Sequence, residues 1–135
     1  MGADQQVTLQ IDPAPWSQAM ADLLAPCVTN AAALVAIGRQ VVNGVATGFL
    51  VSAGGRHVAA FVLRVDGDEG VIVAGAGRMN GVKLLQTLMP SIEARFSGCR
   101  SIRFHTARPG MTRVMARLGY RGAEVVMQKD LNHAG

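Results

Sequence analysis

The chain has 135 residues, half of them hydrophobic and 16% charged, with a formal net charge of +4. This length and composition predict one folded domain over residues 1–135 and exclude a disordered chain. No apolar run approaches the roughly 20 residues that a transmembrane helix needs, and the N-terminus lacks the features of a signal peptide. The cysteines, Cys27 and Cys99, form no C-x-x-C motif and predict reduced thiols in a cytoplasmic protein.

Charge is distributed unevenly along the chain. Residues 1–70 carry a net charge of −3, and residues 71–135 carry one of +7. A basic half favours a polyanionic ligand, such as a phosphorylated cofactor or a nucleic acid, and a solvated basic surface would explain the same pattern. One Tyr, one Trp and four Phe offer no aromatic set for stacking on bases, so a nucleic-acid partner is not expected.

The N-terminal third predicts a strand followed by two helices. Residues 7–11 alternate between apolar and polar positions, as in a strand. Apolar residues then recur at helical spacing over 16–24 and 31–42, with Pro26 between the two segments. Cap residues precede both helices: Asp12 or Ser17, and Thr29 or Asn30. We expect the second helix to bury a face made of Ala31, Leu34, Val35, Ile37 and Val41.

From residue 48 the apolar period changes to two, which is typical of strands. Residues 48–52 and 57–65 flank the turn Ala53-Gly-Gly-Arg56, and this pattern predicts a β-hairpin. A second tight turn at Asp66-Gly-Asp-Glu69 leads into a third strand, Gly70–Ala74. The three strands therefore form an antiparallel meander.

A glycine-rich turn at Gly75–Gly81 follows the third strand and leads into a helix over Val82–Phe96. The crossover requires the next strand, Ser101–Thr106, to lie parallel to the third. A short helix over 109–118 and a last strand over 123–129 complete the predicted elements.

The glycine turn carries the main chemical signal. Such a turn between a strand and a helix N-terminus presents backbone N–H groups to an anion, usually a phosphate. Arg78, Gly81 and Lys83 suit this role, with Asn80 as a helix cap. The stretch matches neither a dinucleotide-binding motif nor a P-loop, because the later acidic residue and the Gly-Lys-Ser/Thr are missing. The other interpretation, which stays open, is a tight turn with close backbone packing.

This order of elements, the motif Arg78-x-x-Gly81-x-Lys83 and the pair Gly119-Tyr120 resemble the GCN5-related N-acetyltransferase (GNAT) superfamily over nearly the whole chain. The resemblance implies a GNAT-like α/β fold, with a mixed, mainly antiparallel sheet and helices on both faces. It implies acetyl-CoA as cofactor, with the pantetheine arm in the gap where the Gly70–Ala74 and Ser101–Thr106 strands diverge. The cofactor-binding residues expected from it are Ala74, Gly75, Ala76, Gly77, Arg78, Asn80, Gly81 and Lys83.

The resemblance further implies transfer of an acetyl or acyl group from CoA to an amine. The chain departs from the family at Lys83, where a small residue is usual, and at Arg108 and Met115, where an Asn and a tyrosine acid are common. Catalytic residues are therefore left unassigned. The alternative is a non-catalytic protein with this fold, since the chain also resembles short, divergent GNAT-like proteins of tailed phages. Virion partners and a virion-associated location belong to that alternative.

Other candidates for chemistry are few. Glu69 is the one carboxylate beside the Gly70–Ala74 strand, and its place in the preceding turn argues against a general base. His57, His105 and His133 lack metal-ligand spacing, so no metal is expected. His105 has the best position of the three, near the C-terminal end of Ser101–Thr106, where ligand crevices open in α/β folds. A core or surface histidine is the other interpretation.

Overall fold

The computed structural model describes residues 8–77, 81–104 and 109–122, together with Met127, Lys129 and Leu131. Backbone contacts divide the chain into two units, Met1–His105 and Thr106–Gly135. In the part of the chain that the structure describes, the first unit contains a five-stranded sheet and three α-helices, and the second contains a further α-helix. A single domain over residues 1–135 stays a prediction.

The sheet of the first unit has the strand order β1-β2-β3-β4-β5. Its strands are β1 (Leu9–Pro13), β2 (Thr47–Ala53), β3 (Arg56–Asp66), β4 (Glu69–Gly77) and β5 (Ser101–Phe104). The first four strands pair antiparallel with their neighbours in sequence, and β5 lies parallel to β4. The β2–β3 turn has φ angles of 58° and 80° at Gly54 and Gly55, as in a type I′ turn. The predicted meander and parallel crossover are confirmed.

The helices of the first unit are α1 (Gln18–Leu24), α2 (Ala31–Val42) and α3 (Gly81–Ala94). A short 3-10 helix, Ala25–Cys27, follows α1 at the predicted break around Pro26. Of the alternative caps, Ser17 and Asn30 are the ones used. Met20 N donates to Ser17 Oγ at 3.2 Å, and Ala33 N donates to Asn30 Oδ1 at 2.8 Å.

Asn30→Ala should lower the free energy of unfolding by about 0.5–2 kcal/mol, because the free N–H of Ala33 loses its partner. Urea denaturation of wild type and variant measures the difference. Thr29→Ala is the matched control, since Thr29 is exposed and precedes the cap. An equal loss in both variants would show that the Asn30 side chain does not stabilise α2.

Helices cover both faces of the sheet, as predicted. On one face, residues of α1 and α2 form a core cluster with Ala60 and Val62 of β3 and Ala74 of β4. On the other face α3 approaches β4 closely. A Cβ added at Gly77 would overlap Leu84 Cδ2, and one added at Gly70 would lie 2.6 Å from the Phe96 ring. The sheet is therefore the middle layer of three.

The structure corrects the predicted boundary of β4. The strand continues through Gly77, so Gly75–Gly77 are strand residues and not part of a turn. They pair with Ala59–Phe61 of β3, whose N-terminal part reaches far enough to extend the ladder. The connection to α3 is thereby shortened to residues 78–80, which lie outside the described residues.

The predicted buried face of α2 is wrong in part. Ile37 and Gly38 are buried, whereas Ala31 is exposed and Val35 is 52% exposed. The Trp16 ring lies so close to Gly38 that an added Cβ would be 2.6 Å from Trp16 Cε2. Because of this contact, Gly38 lies on the buried face of the helix, and Val35 is exposed to solvent.

The second unit contains α4 (Pro109–Arg117), which confirms the predicted short helix. Met115 is 3% exposed, and Arg113 and Arg117 are exposed. Gly119, two residues after the last helical residue, has a φ of 93°, and Tyr120 N donates to Met115 O at 3.0 Å, as is common at helix C-termini. The predicted strand over 123–129 lies mostly outside the described residues, and its two described members are not in a strand. No described helix is long and apolar enough to span a bilayer.

Candidate functional site

Within the described residues, the C-terminal half of β4 has no strand partner on its β5 side. Parallel pairing with β5 runs from Glu69↔Ser101 to Ile72↔Phe104, where the described part of β5 ends. Within the described residues, β4 then continues for five residues, 73–77, with β3 as its neighbour on the opposite side only. Alternate peptide groups of such a segment direct N–H and C=O into the space beside the strand.

A β-bulge lies where this pairing stops. Val62 pairs with Ala74 and Leu63 pairs with Ile72, so Val73 is an extra residue on β4. A bulge bends its strand and increases the local twist, and bulges are frequent beside active sites. The bulge therefore directly follows Ile72, the last residue of β4 with a described partner in β5. Nothing in the sequence predicted it, because Val73 continues the apolar run without a break.

The predicted cofactor-binding residues occupy three different places. Ala74, Gly75, Ala76 and Gly77 are all in the unpaired half of β4. Gly81 begins α3, and Lys83 stands in its first turn, which contains no acidic residue. Arg78 and Asn80 lie outside the described residues. The first N–H groups of a helix have no intrahelical partner and favour an anion. The candidate site is thus a strand segment without a described partner on its β5 side, followed after three residues by the N-terminus of α3.

The glycines of β4 do not share one explanation. Gly77 is needed for packing, because Leu84 of α3 lies where its side chain would be. Gly75 is exposed, and a Cβ there would meet only Phe61 Cβ at 3.6 Å and Ala60 O at 3.9 Å, which are ordinary contacts. Close packing therefore accounts for Gly77 and leaves Gly75 unexplained by the fold.

Glu69 belongs to an ion-pair cluster at the opposite end of β4. Its Oε2 accepts from Ser101 Oγ at 3.1 Å, and its Oε1 lies 3.3 Å from Arg103 Nε. Arg103 also pairs with Asp66 at 3.2 Å, and Asp66 receives two hydrogen bonds from Arg64, at 2.9 and 3.0 Å. These contacts hold Glu69 as a partner of two side chains, about four residues, or roughly 13 Å of strand, from the bulge. Glu69 is therefore unsuited to the role of general base there.

Asp66→Asn should destabilise the protein at pH 7 and progressively less in acid. The hydrogen bond from Arg64 is the main cause that lowers the pKa of Asp66. A carboxylate with a lowered folded-state pKa stabilises the fold above its unfolded pKa, and the contribution is lost as the pH falls through the folded pKa. In urea denaturation, the difference in free energy of unfolding between wild type and variant should therefore disappear as the pH falls below about 4.

Asp68→Asn is the control for this experiment. Asp68 has an exposed ion pair with Arg100 at 3.8 Å, which should contribute little. If the loss of unfolding free energy in Asp66→Asn were the same at neutral and acid pH, the stabilising role of the ionised Asp66 carboxylate would be contradicted.

The structure describes some of the other candidate side chains and not others. His57 is exposed on the β2–β3 hairpin, with Nδ1 at 3.2 Å from Ser52 Oγ, so it is a surface histidine. His105 and Arg108 lie outside the described residues. Met115 is buried in α4, where it offers no exchangeable proton. The described residues contain no group of three or more His, Cys, Asp or Glu side chains that could hold a metal ion.

Sequence comparison identifies no relative. No model of a known protein family matches the chain, and no curated protein matches it. The candidate site is therefore placed in context by structure alone.

Solved structures resemble the chain closely in fold. An acetyltransferase from Bacillus subtilis in complex with CoA has a TM-score of 0.66 and 16% identity, over 84% of this chain and 77% of the other. A GNAT family acetyltransferase from Elizabethkingia anophelis with acetyl-CoA bound has a TM-score of 0.65 and 15% identity, over 86% and 78%. A GCN5-related N-acetyltransferase from Ralstonia eutropha JMP134 has a TM-score of 0.63 and 18% identity, over 92% and 99%.

These matches cover most of each chain. Because the sequence identities are below 20%, the matches establish the fold and nothing further. They agree with the antiparallel meander, the β4–α3–β5 crossover and the helices on both faces of the sheet. The chain has the α/β fold of the GCN5-related N-acetyltransferases.

Proposed function

We propose that the chain binds acetyl-CoA, or a related acyl-CoA, and transfers the acyl group to an amine. The observation that carries this proposal is the half of β4 that has no partner on its β5 side within the described residues and that leads, after three residues, into the N-terminus of α3. Structures of the same fold, from Bacillus subtilis and Elizabethkingia anophelis, were solved with CoA and acetyl-CoA. A third neighbour is named as an N-acetyltransferase, which supports an amine as acceptor.

The residues present fit a CoA thioester. Gly75 leaves the strand surface open, and the unpaired peptide groups of 73–77 can hydrogen-bond an amide-containing arm and a thioester carbonyl. The amides at the start of α3, with Gly81 and Lys83, favour the phosphates, since no acidic side chain stands in the first turn. Arg78 and Asn80 complete the proposed phosphate loop. The bound cofactor would supply an activated acyl group.

In the proposed reaction the amine nitrogen attacks the thioester carbonyl carbon. A C–N bond forms, the C–S bond breaks, and the thiolate takes up the proton that the amine loses. Residues 70–77 carry no titratable side chain, and Glu69 is held by Arg103 and Ser101. We therefore assign proton transfer to water, and the protein contributes by orienting the amine and polarising the carbonyl.

Tyr120→Phe should leave turnover nearly unchanged. Tyr120 is the only tyrosine of the chain, and the buried Met115 occupies the position where the GNAT superfamily commonly has a tyrosine acid. Acetyl-CoA consumption with a panel of amines compares the variant with wild type. General acid catalysis typically contributes about 10²–10⁴-fold. A fall of that size at unchanged stability would identify Tyr120 as the acid and overturn the water assignment.

Calorimetric titration of the protein with acetyl-CoA tests the proposal before any assay of turnover. We expect saturable binding, together with an increase in Tm as ligand accumulates on the folded state. Absence of heat and of a thermal shift at millimolar acetyl-CoA would overturn the proposal. It would favour the alternative of a non-catalytic protein with this fold.

A further inference from the structure

A small cleft lies on the α3 side of the sheet, beside the end of β4 that is remote from the proposed acyl-CoA site. Its volume is about 180 Å³. Its lining consists of Val45, Thr47, Phe49, Leu63, Arg64, Val65, Arg95 and Phe96. Leu63 pairs with Thr47 at the start of β2, whereas Gly77, at the far end of β4, pairs with Ala59. The cleft is thus separate from the unpaired half of β4.

The walls of the cleft are mainly apolar, and part of this apolar surface is open to solvent. Val45 and Val65 are 57% and 55% exposed, whereas Phe49, Leu63 and Phe96 are buried at the base. Apolar walls with a few polar groups are typical of small-molecule sites. The volume is below the roughly 300–1,000 Å³ of sites for drug-sized ligands, so the ligand must be a small one.

Two arginines line the cleft, and they differ in what they bind. Arg64 donates to Asp66 and to Gln40 Oε1, the latter at 2.7 Å, so its guanidinium is occupied. The guanidinium of Arg95 lies over the Phe49 ring, with Cζ at 4.4 Å from the ring centroid. None of the described carboxylates forms an ion pair with Arg95. Arg95 is therefore the charge available to a ligand.

The contact with the Phe49 ring holds the Arg95 guanidinium at the wall of the cleft. A guanidinium that lies on an aromatic face keeps its edge N–H groups free, and these match the two oxygens of a carboxylate. One monovalent cation in an apolar cleft best complements one monovalent anion with a compact apolar body. We propose that this cleft binds a small organic carboxylate, with its carboxylate on Arg95 and its apolar part against Val45, Leu63 and Val65.

Benzoate is a suitable probe, because it is ionised at pH 7 and has a compact apolar ring. Titration of ¹⁵N-labelled protein with millimolar benzoate should shift the amide signals of residues around the cleft, above all Val45, Leu63, Val65 and Phe96. Benzyl alcohol has the same ring without the charge. Because charge-assisted hydrogen bonds are lost, it should bind at least tenfold more weakly.

Arg95→Gln should weaken benzoate binding at least tenfold, and its amide spectrum reports directly that the variant is folded. Arg100→Gln is the matched control for net charge, since that side chain is 85% exposed outside the cleft lining. Unchanged binding in this control, with loss in Arg95→Gln, supports the proposal. The proposal is overturned if benzoate causes no shifts, if shifts persist in Arg95→Gln, or if both variants weaken binding equally. None of these outcomes depends on acyl-CoA binding.

Discussion

Phe61→Ala should lower the free energy of unfolding by about 3–5 kcal/mol, the usual loss when a buried phenyl ring is removed from a core. Phe61 is 2% exposed in the central strand β3, and its ring stacks on Phe49 with centroids 4.9 Å apart. Since domains are stable by about 5–15 kcal/mol in total, this loss is a large share. Urea or guanidinium denaturation measures it.

Phe61→Leu is the control, because it keeps much of the apolar volume and should cause a clearly smaller loss. Combining Phe61→Ala with Phe49→Ala tests the ring pair itself. A coupling energy of about 0.5–1.5 kcal/mol is expected for stacked rings. A loss below about 1 kcal/mol in Phe61→Ala would mean that the space closes without the ring, contrary to a tightly packed sheet–helix layer.

Gly75→Val should weaken acetyl-CoA binding by about tenfold to 100-fold while the protein stays folded. A Cβ at Gly75 meets only ordinary contacts, at 3.6 and 3.9 Å, so the strand accepts a side chain. The branched side chain would stand on the exposed strand surface proposed for the thioester. A steric conflict of about 1–3 kcal/mol corresponds to that change in affinity. Calorimetry and thermal unfolding on the same samples separate binding from stability.

Gly77→Val provides the contrast, two residues along the same strand. Its side chain would overlap Leu84 Cδ2 and lie 3.3 Å from Ala59 Cβ and from Val58 O, so this variant should be destabilised. Gly75→Ala should bind with an intermediate affinity. If Gly75→Val bound acetyl-CoA like wild type, the proposed position of the thioester beside 73–77 would be wrong.

Much of the fold follows from local patterns in the sequence. The change of apolar period at residue 48 predicted the hairpin, and the paired glycines fixed its turn at Gly54 and Gly55. The helical spacing of apolar residues over 82–96 predicted α3, and four of these residues, Leu88, Met89, Ile92 and Phe96, are buried. These signals are readable because strand and helix periods differ, and because each element buries one side.

The details of the candidate site depend on contacts between distant residues. The glycines of 75–81 favoured a turn, yet three of these positions continue β4 because Ala59–Phe61 of β3 are available to pair with them. The role of Gly77 follows from Leu84, seven residues later on another element. Neither the pairing partners of β4 nor the bulge at Val73 leaves a periodic mark in the sequence, so sequence patterns could propose residues for a site here but not describe the geometry of this segment.

The close contacts that Leu84 and Phe96 make with β4 also determine where the chain can accept an inserted or deleted residue. Leu84 lies against Gly77 and Phe96 against Gly70, so the segment from 84 to 96 is pinned to the strand at both ends. One residue inserted between them would rotate everything after it by about 100°, since a helix has about 3.6 residues per turn. Phe96 would then point away from Gly70 and leave a gap above the strand. Insertions and deletions should therefore be tolerated after Phe96, in the exposed turn at Ser97 and Gly98. A change of length there leaves both helix–strand contacts in place.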